Sequence, residues 1–345
     1  MRFALDDGQT AFGRSLDRMF AAADTPSAVR AWARGEHGPG WALWRRAADA
    51  GVFTLAAPGA FGGVGPLPVE LGVAFVELGR HCVPGPLVET VAVTALLARL
   101  AEAGEAAPAK EWLPRVCAGR ARVTLAAPAA GPYALDADAA DAVFVVTSGA
   151  GDAAAGLWLA PGHGPVLPSV DPARRLAVPA AGGERLAAGP AVREATAHAH
   201  LWAAFATAAQ ALGVGHALLD RTVAHAGRRV QFGAAIGSFQ AVKHRLADVL
   251  IGLEFARPLL YGAAVALAAG SPGVRAEVAA AKAAACDAAY AAARTALQVH
   301  GAIGYTSDYE LSLWLGKARA LRQAWGSPED CRREVLELPS QLFRE

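Results

Sequence analysis

Residues 228–248 read Arg228-Arg229-Val230-Gln231-Phe232-Gly233-Ala234-Ala235-Ile236-Gly237-Ser238-Phe239-Gln240-Ala241-Val242-Lys243-His244-Arg245-Leu246-Ala247-Asp248. Two long helical patterns meet here. The one before it, from about Ala195 to Gly227, has no Asp, Glu, Lys or Arg between Glu194 and Asp220. The one after it repeats apolar residues at helical spacing: Val242, Leu246, Val249, Leu253, Ala256 and Leu260. Between them, a glycine-bounded turn brings arginine, glutamine and phenylalanine together. A bundle connector does not need that trio to fold. By composition alone the turn reads equally as a connector with two solvated arginines or as an anion clamp with an aromatic face beside it.

The whole stretch closely resembles the flavin-binding turn of the acyl-CoA dehydrogenases. The family pattern is R-x-Q-F-G-x-x-I, then F-Q, then L-A-D/E. The match here is ungapped from Arg229 to Asp248. The resemblance implies an α+β, mainly α fold: an N-terminal helical domain, a small antiparallel β domain and a C-terminal helix bundle. It also implies FAD as cofactor and an acyl-CoA or other acyl thioester as substrate.

Composition agrees with a globular chain. Of 345 residues, 54% are hydrophobic and 18% charged, enough for two or three units with buried cores. Net charge is +1 and no Lys/Arg block stands out, which argues against nucleic acid as a partner. Cys82, Cys117, Cys286 and Cys331 are scattered, without a C-x-x-C pair. No metal site or disulfide framework is expected, and a cytoplasmic location fits. The N-terminus is charged and helical in pattern rather than a signal peptide. The apolar run Ala195–Leu219 contains His198, His200, Gln210 and His216, and alanine outweighs leucine. It reads as a buried bundle helix rather than a membrane span.

In chain order, residues 1–118 read as a helical domain. Phe3, Leu5, Phe12, Leu16 and Phe20 start one amphipathic helix, Trp41 to Ala48 lie on another, and Glu70 to Arg80 form a third. The order Gly62-Gly63-x-Gly65, Glu77-Leu78-Gly79-Arg80, Pro84-x-Pro86 also resembles the family's N-terminal domain. Residues 119–193 read as the β domain, with strands at Val143–Thr147 and Gly156–Ala160 and further candidates around Val166, Leu167 and Leu176. Asp171-Pro172-Ala173-Arg174-Arg175 resembles a D-P-T-R-R element of shorter family members; by itself it reads as a turn with an arginine pair. Residues 194–345 read as the bundle: helices over Leu246–Ala269, Val274–Val299, Tyr305–Ala324 and Glu329–Leu338 follow the organising turn.

The resemblance assigns Arg229, Gln231 and Phe232 to the pyrophosphate and adenosine side of FAD, with Gln240 nearby. It adds a second segment, a glutamine with a glycine pair reaching in from a neighbouring subunit. Gln298, Gly301 and Gly304 match that segment, with Ala302 where a glycine is usual. The family's base is a glutamate in a Y-E-G-T/S stretch, but here Gln323-Ala324-Trp325-Gly326-Ser327 puts Trp325 in its place, and an indole has no usable basicity. In members that keep the base on the first bundle helix, the equivalent position falls near Ala203. The family's T-E-P-x-x-G-S-D loop, whose hydroxyls touch the flavin ring, is matched only by Pro128 and Gly131 in Thr124–Pro132. Asp308, Glu310 and Glu329 are the carboxylates left as candidates for a displaced base.

The losses fall on the ring and substrate side, and the pyrophosphate side is intact. The expectation is therefore a FAD-dependent subunit that desaturates an acyl thioester with a base-bearing partner. A self-sufficient flavoenzyme with a displaced base, acting on a carrier-protein or unusual acyl thioester, and a non-catalytic scaffold subunit are the alternatives. An electron-transfer flavoprotein is compatible with either enzyme as electron acceptor.

Overall fold

The computed structural model describes residues 4–128, 131–148 and 155–337. Phe3 and Leu338, named above, and residues 129 and 130 of the Thr124–Pro132 stretch lie outside them. Six helices come first: α1 (Asp7–Ala21), α2 (Thr25–Ala33), α3 (Gly38–Asp49), α4 (Pro68–Arg80), α5 (Leu87–Glu102) and α6 (Ala107–Cys117). α1 begins at Asp7 rather than further upstream because Asp6 and Gln9 cap it reciprocally, at 2.7 and 3.1 Å. The aromatic core beneath includes Trp44 stacked on Phe53 at 4.1 Å.

The β domain follows as β1 (Val123–Ala126), β2 (Ala134–Leu135), β3 (Ala142–Thr147), β4 (Gly156–Leu159), β5 (Leu176–Ala177) and β6 (Glu184–Ala188). The main sheet has the order β1-β3-β4-β6, and β2 pairs with β5. All pairings are antiparallel, as expected, except β1 with β3, which run parallel. That exception follows from connectivity: the chain leaves β1, makes β2 outside the main sheet, and returns in the same direction. Phe144 on β3 is fully buried and meets Trp112 of α6 edge-on at 5.4 Å, which fixes the sheet to the helical layer.

The bundle is organised on α7 (Pro190–Arg228), whose apolar stretch is mostly buried. Its alanines and glycines let neighbouring backbones come close. At the crossing with α4, a Cβ on Gly213 would lie 1.9 Å from the Val76 carbonyl oxygen, and one on Gly79 would lie 2.1 Å from that of Gln210. Gly213→Ala therefore has to push two backbones apart. We expect it to cost about 1–3 kcal/mol, read as a lower denaturation midpoint with an unchanged slope.

After α7 come a short hairpin, β7 (Val230–Gln231) and β8 (Ala234–Ala235), then α8 (Gln240–Ala269), α9 (Val274–His300), α10 (Leu311–Gln323) and α11 (Pro328–Glu337). The helix expected from Tyr305 begins only at Leu311. Gly301–Tyr305 form a 3₁₀ turn instead, and the Thr306 hydroxyl donates to the Ile303 carbonyl at 2.7 Å. Such local side-chain bonds compete with helix formation. α8 differs from α7 in exposing apolar side chains, among them Leu250, Ile251, Phe255 and Leu259.

Candidate functional site

Arg229 leaves α7 in extended conformation, at φ −76° and ψ 118°. Val230 then pairs with Ala235 and Gln231 with Ala234. The two residues between the strands, Phe232 and Gly233, both have positive φ, 54° and 75°. This doubly left-handed loop matches the twist of a hairpin. For phenylalanine that conformation costs about 1–3 kcal/mol. Its ring gains no burial in return, being 95% exposed. Gln231 and Gln240 are exposed too, as is Arg229, whose guanidinium has no hydrogen-bond partner among the described residues.

The second segment lies at the same end of the same chain. His225, one turn before Arg229, stacks on His300, two residues after Gln298, with centroids 4.0 Å apart. The His300 Nδ1 donates to the Ala296 carbonyl at 2.7 Å and fixes the ring. The C-terminal ends of α7 and α9 thus lie side by side, and Gln298 is exposed on the last turns of α9. Gly301, at φ 65°, is exposed with open space where a Cβ would point. Gly304 is different: it is buried, and a Cβ there would lie 3.2 Å from Leu297, so it serves packing.

An exposed guanidinium, two side-chain amides and a bare aromatic ring are the donor set for a diphosphate joined to a flat heterocycle. The nucleotide end of FAD fits them. The ring end has less to hold it, since Ala126, which is buried, and Pro132 stand where the family pattern carries its hydroxyls.

Trp325 sits elsewhere, in the interior. It is 4% exposed, has φ 58°, and is followed by Gly326 at φ 102°. Lys282 on α9, fully buried, donates its ammonium to the Gly326 carbonyl and ties the loop down. The His200 ring lies 6.0 Å from the indole, and Ala203 is buried in the same helix. The indole Nε1 donates to Oε1 of Glu89 at 3.2 Å. Glu89 is 3% exposed, and its Oε2 has no partner among the described residues. Burial pushes its pKa up, against the opposing pull of Arg174.

Behind Glu89 lies Asp136, pushed up to about 7 by burial although Trp32 Nε1 donates to it at 3.0 Å. Lys317 and Asp171 pair nearby at 3.7 Å, both buried. Asp171-Pro172-Ala173-Arg174-Arg175 is therefore more than a surface turn: Arg175 pairs with Asp138 at 2.7 Å and donates to the Ala33 carbonyl at 3.1 Å, joining the β domain to α2. A cavity of about 270 Å³ is lined by Glu89, Trp325, Tyr133, Arg174 and Arg319. A larger groove, about 1030 Å³, runs past His198, His200 and Leu201 with Arg99, Arg275 and Arg333 on its rim.

The three carboxylates proposed for a displaced base stand outside this cluster. Asp308 is exposed and its backbone carbonyl accepts from Arg30 at 2.9 Å. Glu310 pairs with Arg221 at 3.0 Å. Glu329 pairs with Arg322 at 3.0 Å in the first turn of α11. All three are surface acids. Glu89 is the residue that sequence reading missed. Its one signal is that it is the only acid between His81 and Ala101, in an otherwise apolar helix. Asp17, Glu77 and His81 also converge, with possible ligand atoms within 4.8 Å. The 2.8 Å contact from His81 to Asp17 makes them a hydrogen-bonded charge cluster joining α1 to α4.

Comparison with known proteins decides the family. Residues 7–120 match the acyl-CoA dehydrogenase N-terminal domain and residues 193–337 the acyl-CoA dehydrogenase C-terminal domain. The chain belongs to the acyl-CoA dehydrogenase family. It is 34% identical to the acyl-CoA dehydrogenase IpdE2 of Mycobacterium tuberculosis over 320 residues, 91% of this chain and 93% of that protein. Its identity to IpdE2 of Mycolicibacterium smegmatis is 30% over 321 residues, 92% of this chain and 94% of that protein. Among solved structures, the ChsE4-ChsE5 complex from Mycobacterium tuberculosis contains a chain with TM-score 0.80 at 24% identity, covering 98% of this chain and 100% of that one. A Tcur3481-Tcur3483 steroid ACAD variant gives 0.82 at 24%, covering 98% and 99%. At that identity the two structures show the acyl-CoA dehydrogenase fold.

Proposed function

We propose that this acyl-CoA dehydrogenase is one subunit of a FAD-dependent enzyme that desaturates an acyl thioester at its α,β bond together with a second, base-bearing subunit. The observation that carries this reading is the outward-facing hairpin, with Arg229, Gln231 and Phe232 all exposed, on a chain that has Trp325 in the base position. A guanidinium with no hydrogen-bond partner among the described residues suits a flavin whose ring lies against another chain. When bound, FAD supplies the two-electron acceptor. Arg229 would hold its phosphates by the forked guanidinium, and Phe232 would offer its ring to the adenine. The exposed apolar face of α8, which continues directly from the hairpin, is the surface on which the second subunit packs.

The similar ChsE4-ChsE5 structure is a complex of two named chains, and the Tcur3481-Tcur3483 structure is described as a steroid ACAD. A ring-bearing acyl-CoA is accordingly the substrate class we favour, entering by the arginine-rimmed groove. An electron-transfer flavoprotein would take the electrons onward. All four cysteines are free and buried, in keeping with a reducing cytoplasm.

The test is the visible absorption spectrum of the chain purified alone and after co-expression with a dehydrogenase subunit of similar size that carries the glutamate. We expect colourless protein alone and a yellow complex. Yellow protein with turnover as a homo-oligomer would overturn the two-subunit reading. A colourless complex whose partner keeps full activity after Arg229→Ala would point to a scaffold instead.

A further inference from the structure

We propose that Glu89 is the proton acceptor of this chain's own cavity, taking the α-proton of an acyl thioester bound beside Trp325. The proposal rests on the acyl-thioester reading above but places a second acid–base centre in a chain whose base loop is empty.

The geometry that carries it is the unmatched oxygen. Glu89 belongs to the first turn of α5 and is 97% buried by its 3% exposure. Oε1 is held by the indole of Trp325 at 3.2 Å, while Oε2 has no partner among the described residues. A buried carboxyl group kept only for packing is normally satisfied at both oxygens or replaced by an apolar side chain. Here the free oxygen belongs to a residue lining a cavity of about 270 Å³, room for a short acyl thioester head rather than a whole coenzyme. The same cavity is lined by Arg174 and Arg319, cations suited to the negative charge that develops on the thioester oxygen.

Behind the cavity, Asp136 carries its own unpartnered Oδ2. It shares a small void with Glu89, Arg174, Gln210 and Lys317, and is the next acceptor for the proton. Burial raises the pKa of both acids, that of Asp136 to about 7. Trp325 is a positioning residue: its N–H holds one carboxylate oxygen and presents the other.

The step balances without an oxidant. The Cα–H bond breaks, its electron pair remains on the substrate as the thioester enolate, and the proton bonds to Oε2. Return of a proton from solvent exchanges the α-hydrogen. Loss of the β-hydride to a flavin would instead complete the desaturation.

Exchange is therefore the readout. The probe is butyryl-CoA in deuterium oxide, with deuterium at the α-carbon followed by mass spectrometry. The protein is the complex of this chain with its base-bearing partner, the partner's glutamate replaced by glutamine so that only one centre is active. We expect exchange with the native chain, a loss of about 100-fold or more with Glu89→Gln, and partial recovery with Glu89→Asp. The rate should rise with pH as the carboxylate forms, with Arg174, Lys317 and Arg319 facing it as fixed cations and Asp136 losing its own proton around pH 7. Trp325→Phe removes a hydrogen bond to the charged form, so it should shift that midpoint upward. Native exchange rates in Glu89→Gln, or no exchange in the native chain, would overturn the proposal. FAD content measured on the same samples keeps the two ideas apart, since it should be unaffected by Glu89→Gln and lost with Arg229→Ala.

Discussion

Trp325→Ala loses about 3–5 kcal/mol of folding stability, the usual cost of deleting a buried indole from a close-packed site. Two effects combine. The indole is packed between α7 and the Lys282-anchored loop, so its removal leaves a cavity between rigid elements. It also strips Glu89 of the one donor that its side chain has among the described residues. Chemical denaturation followed by circular dichroism at 222 nm measures the loss, and Trp325→Gly is the informative control. Both variants empty nearly the same space, but glycine takes the left-handed φ of 58° without the strain that a Cβ brings there. The glycine variant should therefore be the more stable of the two by roughly 1 kcal/mol. Equal midpoints for native chain and Trp325→Ala would mean that the indole is not the packing centre of this loop.

Arg229→Ala has the opposite profile: little effect on folding and a large one on cofactor. The side chain is exposed and makes no hydrogen bond among the described residues, so the fold should change by less than about 0.5 kcal/mol. FAD affinity of the two-subunit complex should fall roughly tenfold to a hundredfold, the range for losing charge-assisted bonds to a phosphate. Arg229→Lys should lie between, because it keeps the charge and loses the fork. Equilibrium dialysis against FAD at two salt concentrations reads both parts, since the charge contribution weakens as salt is raised. Unchanged affinity in Arg229→Ala would remove the hairpin from the cofactor site. Together, the two variants separate a residue that holds the fold from one that faces outward for a ligand.

The sequence by itself determined the family, the bundle and most element positions. Those follow from short-range order: the ungapped run from Arg229 to Asp248, the 3.6-residue spacing of Val242, Leu246, Val249 and Leu253, the β-branched run at Val143–Thr147, and the breaks at Gly270–Gly273 and Gly326–Pro328. It also gave the loss of the loop base, because Trp325 is legible without knowing where it points. Tertiary structure alone decided what those residues touch. The parallel pairing of β1 with β3 depends on where β2 goes, which no periodicity encodes. The approach of the C-terminal ends of α7 and α9, seen in His225 stacking against His300, joins segments that sequence keeps far apart. Glu89 and Trp325 are 236 residues apart, and a glutamate in an apolar helix looks the same in sequence whether it meets solvent, a cation or an indole. Burial and partner choice are set by how helices cross, so the local signal could name the clamp but not the carboxylate behind the tryptophan.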